Sequence, residues 1–203
     1  MNIIKASYRI EIPPPENTLE LIERIGRTCY KSEDRITAGS AERFVAMVIE
    51  RGHESVIEHI GMSVRFIVDR GVSHELVRHR LASYSQESSR YCNYGGKGIV
   101  VIQPYFPGWD TGDQAEWEDA MRYADSRYRA LIARGKPPEE ARSVLPTSLK
   151  TEVVMTQNLR TWRHVFRLRA VSKKAHPQMR EVMLPLYDEC RAMLPVVFAN
   201  LGM

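Results

Sequence analysis

Residues 62–69 alternate in character: Met62, Val64, Phe66 and Val68 are apolar, while Ser63, Arg65 and Asp69 between them are polar and only Ile67 breaks the contrast. An extended chain points successive side chains to opposite faces, so this run predicts a strand with one buried face. Other stretches keep a helical spacing. Leu19, Ile22, Ile25 and Cys29 share one face, Phe44, Val45, Val48 and Ile49 a second, and Trp117, Ala120, Met121, Ala124, Tyr128 and Leu131 a third. The two periods succeed one another without a repeating strand–helix–strand unit. That order predicts an α+β fold, one compact domain over residues 1–203 with mixed helices and an antiparallel-rich sheet.

Punctuation residues set the expected boundaries. Ile3, Ile4, Tyr8, Ile10 and Ile12 predict a strand over residues 2–12, stopped by Pro13, Pro14 and Pro15. Asn17 with Glu20 predicts a capping box, and Ser40 a cap for a helix that Gly52 ends. Gly95, Gly96 and Gly98 break the chain before a short strand at residues 99–102. Gly135 closes the long helix, and Pro137 opens another that Pro146 ends. Residues 153–155 predict a strand, 160–169 a helix, and 176–194 a last helix interrupted or bent at Pro185.

No apolar run approaches the roughly 20 residues that span a bilayer. The first nine residues lack the apolar stretch and small-residue cleavage site of a secretory signal. A cytoplasmic protein without a membrane partner is the expectation. Cys29, Cys92 and Cys190 lie far apart and form no C-x-x-C pair, so neither a disulfide framework nor a zinc ribbon is indicated, and the thiols are expected to be buried or incidental.

The cations carry more information, because 22 are Arg and only 7 are Lys. Arg grips phosphate or carboxylate with a planar fork of donors, whereas Lys is a mobile point charge. Most single arginines of any chain are solvated, but here Arg160, Arg163, Arg167 and Arg169 form one cluster, and a denser one reads Arg78, His79, Arg80, Leu81, Ala82, Ser83, Tyr84, Ser85, Gln86, Glu87, Ser88, Ser89, Arg90, Tyr91. Such clusters suit a phosphorylated ligand or a nucleic acid. His53, Glu54, Glu58 and His59 are possible metal ligands, but histidines six residues apart stand about 240° apart on a helix, so no metal is expected. No G-x-G-x-x-G, no P-loop and no G-x-S-x-G elbow occurs.

Arg78, His79 and Arg80, with seven residues before Ser88, resemble the signature of the flavin-dependent thymidylate synthases. Three further blocks follow that family's order: Arg51, Gly52, His53, Glu54 and Ser55 with Glu58 and His59; Ala141 and Arg142 with Val144, Leu145 and Pro146; and Asn158, Leu159 and Arg160 through to Leu168 and Arg169. The resemblance implies reductive methylation of dUMP to dTMP, with methylenetetrahydrofolate as carbon donor, and FAD, reduced by NADPH, as hydride donor. It also implies a homotetramer with shared active sites and no nucleic-acid partner.

Position by position, the resemblance assigns flavin contacts to Ser55, Arg78, His79, Arg80, Leu81, Gln86, Asn158, Leu159, Arg160 and His164. It assigns dUMP contacts to Glu75, Leu76, Val77, Arg78, Gln86, Glu87, Ser88, Ser89, Arg90, Arg142 and Arg169. Arg169 takes the place of the arginine that activates the uracil, and His53 and Tyr91 fall on the folate and flavin side. Glu75, Ser85, Glu87 and His164 depart from the residues common there: Gln, Asn, an apolar residue and Asn. Two other readings stay open: a flavoenzyme of this fold acting on another pyrimidine nucleotide, and a basic nucleic-acid-binding module without catalysis.

Overall fold

The computed structural model describes residues 1–199 and 201. Six strands form, β1 (Asn2–Ile4), β2 (Ser7–Ile12), β3 (Gly61–Asp69), β4 (Ser83–Gln86), β5 (Val100–Ile102) and β6 (Lys150–Asn158). The helices are α1 (Thr18–Arg27), α2 (Ser40–Glu50), α3 (Arg70–Leu76), α4 (Thr111–Ala133), α5 (Pro138–Ala141), α6 (Leu159–Phe166), α7 (Pro177–Met193) and α8 (Pro195–Phe198). A four-stranded sheet has the order β2-β3-β6-β4, and β1 pairs in parallel with β5. The backbone bond from Leu159 N to the Ile60 carbonyl, the Ser63–Thr156 hydroxyl pair at 2.7 Å and the Arg65–Glu152 ion pair at 2.9 Å run in opposite senses along the chain, so β3 and β6 are antiparallel.

The strand expected over residues 2–12 is two strands in two sheets, because Lys5 and Ala6 interrupt it. The capping box at Asn17 does not form: Asn17 makes no side-chain cap bond. Gly39, not Ser40, caps α2, since Ser40 turns its hydroxyl to the buried carboxylate of Glu23 at 2.7 Å. A capping box does close at α4, where Asp110 accepts from Gly112 and Asp113 and returns its own N–H to Asp113. The helix expected over 160–169 ends at Phe166 and opens into a π-turn, Arg167–Val171. The signature also hides a strand, β4, too short and too polar to show a period.

Contacts divide the chain into two units, each built from several segments. One comprises residues 1–8, 65–79 and 84–154; the other comprises 9–64, 80–83 and 155–203, so far as described. The first packs Ile99, Val101, Met121, Tyr128, Ala141 and Leu149 into a core under α4. The second packs Trp162, Phe166, Tyr187 and Phe198 as an aromatic cluster, with ring centroids 5.4–5.6 Å apart. Trp162 also donates its indole N–H to the Met62 carbonyl at 3.1 Å, so the ring is buried with its polar atom satisfied. No helix among the described residues is long and apolar enough to cross a membrane.

Candidate active site

Local chemistry places the second unit's cavity. Gly52 adopts a left-handed conformation (φ 74°) that ends α2, and the bonds from Gly52 N to Ile49 O and from His53 N to Val48 O complete the turn. The chain then enters a 3₁₀ turn, Glu54–His59, which presents Glu54 and Glu58. Asn158 caps α6, its Oδ1 accepting from both the backbone and the hydroxyl of Thr161 at 2.9 Å. The capping oxygen is thereby committed, and the Asn158 amide N–H groups are what it can offer a ligand.

Arg160, His164 and Arg167 follow at i, i+4 and i+7, the spacing of one helix face. With Glu54, Glu58, Leu81, Asn158 and Thr161 they line a cavity of about 750 Å³. Glu54 is the electrostatic centre of this wall. It receives the fully buried Arg163 at 3.1 Å and approaches Arg160 at 3.7 Å and Arg167 at 3.8 Å, while Arg160 also bonds Glu58. Burial pulls the Arg163 guanidinium below its ordinary pKa, and Glu54 opposes that shift. Arg163 completes its pairing on the Val197 carbonyl. Arg160 and Arg167 stay about half exposed, at 49% and 45%, with their forks at the cavity.

The first unit holds two further cavities of about 500 Å³ each. One is lined by Arg70, His74, Ser89, Glu139, Arg142 and a floor that includes Leu145, Pro146 and Leu149. The other is lined by Arg65, Ser85, Gln86, Glu87, Lys150, Glu152 and Val154. In the latter, charge alternates along a chain of hydrogen bonds: Tyr94 hydroxyl to Glu87 at 2.8 Å, Lys150 to Glu87 at 2.9 Å and to Glu152 at 2.7 Å, and Arg65 to Glu152 at 2.9 Å. Burial, then the Glu87 bond, pushes the Tyr94 phenol far up. Gln86 donates to Ser73 at 3.0 Å and Thr151 at 3.4 Å.

The comparisons with known proteins bear on what such cavities serve. The family described as thymidylate synthase complementing protein matches residues 14–196. The flavin-dependent thymidylate synthase of Geobacter sulfurreducens is 32% identical over 197 residues, covering 94% of this chain and 83% of that protein. This chain belongs to the flavin-dependent thymidylate synthase family. The Pyrococcus furiosus flavin-dependent thymidylate synthase is 33% identical over 174 residues, covering 83% of this chain and 70% of that protein. A UMP/dUMP methylase, PolB from Streptomyces cacaoi, solved with 5-Br dUMP, shares the fold: TM-score 0.81, 21% identity, 98% of this chain and 95% of that one.

Against this family frame the residues named from the sequence fall into distinct places. Leu81, Asn158, Arg160 and His164 line the larger cavity, Ser89 and Arg142 a second, Gln86 and Glu87 the third. Ser55, His53, Arg80, Glu75, Val77, Arg78, Ser88, Arg90, Tyr91 and Arg169 line none of the three. Leu76 and Leu159 are fully buried, backbone included, and His79 is 9% exposed. Glu87 does not stand as a bare acid: Lys150 neutralises it. The sequence places Arg167 in a cation cluster suited to a phosphorylated ligand but gives no role to Thr161, Arg70, His74 or Lys150. Arg167 joins Arg160 on one helix face through its i+7 spacing. Lys150 has no such signal, since Glu87, the partner that brings it to the cavity, lies 63 positions away, and only Glu152 is near it in sequence. Among the described residues no three His, Cys, Asp or Glu side chains converge to hold a metal ion, and Glu54 and Glu58 are taken by arginines. Of the thiols expected to be buried or incidental, Cys190 is buried, Cys92 is half-buried and Cys29 is exposed.

Proposed function

We propose that this chain methylates dUMP to dTMP, taking a methylene unit from methylenetetrahydrofolate and releasing tetrahydrofolate, with FAD as its flavin and NADPH as the reductant. Family membership supports the reaction class. The observation that carries the reading to this chain is the larger cavity, where Leu81, Asn158, Arg160 and His164, drawn from two separated blocks of sequence, share one lining. Its donor set fits a flavin dinucleotide. Arg160 and Arg167 offer forks for a pyrophosphate, Asn158 offers amide N–H groups, and Leu81, 82% exposed, offers an apolar face for a ring system.

When bound, the flavin supplies the hydride that turns the transferred methylene into a methyl group. The protein's part is placement and charge. Uracil C5 must gain electron density to attack the methylene carbon and must then lose its proton. An Arg fork beside N3 and its carbonyls stabilises the electron-rich ring, and Arg169 is the residue in that role. Cys190 is buried, with its thiol pushed up to about 12 by burial, and no cysteine lines any of the three cavities. A covalent thiol adduct to the ring is therefore not part of this reading.

Homotetramer formation with shared sites belongs to the same proposal. Leu81, inside the signature, and Tyr91, just past it, are 82% and 76% exposed and are left uncovered by this chain alone. The test is to reduce the flavin-loaded enzyme with NADPH and follow its reoxidation with methylenetetrahydrofolate, with dUMP or UMP added. Reoxidation and dTMP formation that require dUMP are expected; reoxidation indifferent to any pyrimidine nucleotide overturns the reading. In Arg169→Lys, which keeps the charge and loses the fork, dTMP turnover should fall about 100-fold while reduction by NADPH persists.

A further inference from the structure

Arg169 sits in a rare kind of winding. α6 ends at Phe166, and Arg167–Val171 continue it as a π-turn, closed by the bond from Ser172 N to the Arg167 carbonyl at 3.1 Å. Ser172 then leaves the helix with an extended backbone, at φ −61° and ψ 121°. The exit strips Ala170 of its helical donors. Lys174 and Ala175 carry the N–H groups that a continuing α- or π-winding would aim at the Ala170 carbonyl, and both bond Ser172 instead, at 3.3 Å and 3.2 Å. Ala170 is fully buried, so water does not take their place.

The donor comes from the next helix. Arg180, half-buried in the first turn of α7, gives its Nε–H to the Ala170 carbonyl at 3.1 Å. Its own base is fixed, because Arg180 N bonds the His176 carbonyl at 3.0 Å and the preceding Gln178 and Met179 are buried at 5% and 0% exposure. A guanidinium donor makes a stronger bond than a neutral one, and here it meets a carbonyl that is costly to leave unpaired. Arg169 is half-buried and immediately precedes Ala170. If the turn rewinds toward 3.6 residues per turn, the direction in which Arg169 leaves the helix axis swings round with it.

We propose that Arg180 is a positioning residue for the methylation: by holding the Ala170 carbonyl it keeps the π-turn wound, and so aims the Arg169 fork at the pyrimidine ring. The inference rests on the role given to Arg169 in the nucleotide-methylating reading above. It goes beyond that reading in assigning a part to an arginine that touches no substrate.

The experiment is a double-mutant cycle on flavin-loaded enzyme at saturating dUMP, comparing the parent, Arg180→Met, Arg169→Lys and the two changes together. The rate of dUMP-dependent flavin reoxidation, the rate of reduction by NADPH and the FAD Kd are measured for each. Arg180→Met should slow reoxidation about tenfold or more, while reduction and the FAD Kd stay within about twofold of the parent. In the Arg169→Lys background, where no fork is left to aim, the same change should cost less than about twofold further. Equal losses in both backgrounds would make Arg180 a packing residue and overturn the proposal, as would an unchanged reoxidation rate in folded Arg180→Met. If Arg180→Met does not fold, the cycle is run with Arg180→Lys, whose nitrogen lies one atom farther along the side chain than Nε, and the same two outcomes overturn the proposal. A slow Arg169→Lys beside a normal Arg180→Met removes this inference alone; a normal Arg169→Lys removes the activating role of Arg169 first.

Discussion

Glu54 shows how much one side chain can carry. It lies 17% exposed between the buried Arg163 and the cavity arginines Arg160 and Arg167. Removing its charge leaves Arg163 buried without a carboxylate, a loss of about 3 kcal/mol by the usual cost of breaking such a pair. It also takes away the carboxylate that Arg167 approaches and one of the two that Arg160 approaches, Glu58 keeping its bond to Arg160. Glu54→Gln should therefore lower the urea midpoint and weaken FAD binding together. Urea unfolding and flavin fluorescence titration check both effects; an unchanged FAD Kd in a destabilised protein would confine Glu54 to a packing role. Cation placement in this cavity is thus a property of an acid that the sequence reading left without a role of its own.

At the scale of elements, two contacts lend themselves to test. Gly26 on α1 lets α2 approach closely, since a Cβ there would sit 2.6 Å from the Phe44 ring, whose face Arg27 covers at 4.8 Å. Alanine is the better helix former, yet Gly26→Ala should destabilise by about 1–3 kcal/mol because the clash outweighs propensity. Thermal melting decides; a stabilised variant would mean that Phe44 moves freely. The second contact is the Lys150–Glu152 ion pair, two residues apart on β6. The Glu152 carboxyl is held below its ordinary 4.5 by the Lys150 hydrogen bond, with burial opposing and Arg65 assisting. A depressed carboxyl stabilises the fold above its unfolded pKa and ceases to do so as pH falls through the lower folded value. For Lys150, burial acts downward but its bonds to Glu152 and Glu87 outweigh it, so its raised pKa stabilises below 10.5 and fails above. Stability from this pair should be level from about pH 5 to about pH 10 and fall on both sides. Glu152→Gln should flatten the acid limb in denaturant unfolding measured across pH.

For the whole molecule, the chain passes from one unit to the other at 8–9, 64–65, 79–80, 83–84 and 154–155, and β3 and β6 each belong to both. No single cut separates them. We expect one cooperative thermal transition, and two resolved transitions would show that the units fold separately. Light scattering of the yellow, flavin-loaded protein should report four copies. FAD at 100 times its Kd should stabilise by about 2.7 kcal/mol, seen as a higher melting temperature. A monomer that takes up no FAD would remove both the assembly and the cofactor from the proposal.

The longer strands and helices, the ends of α2 and α4 and the family can be read along the chain, because these depend on local periods, on glycine, and on blocks of residues in order, whereas α3 and β4 leave no such signal. The strand at 61–69, the end of α2 at Gly52 and the signature at Arg78, His79 and Arg80 are legible in this way. Packing alone sets residues 2–12 in two sheets, commits the Asn158 oxygen to a cap, and neutralises Glu87 with Lys150 from 63 positions away. It likewise decided that Arg70 and His74 share a cavity with Arg142. The physical reason is range: a turn or a helical face is fixed by neighbours in sequence, whereas charge pairing and cavity lining depend on which distant segments the packing brings within a few ångströms.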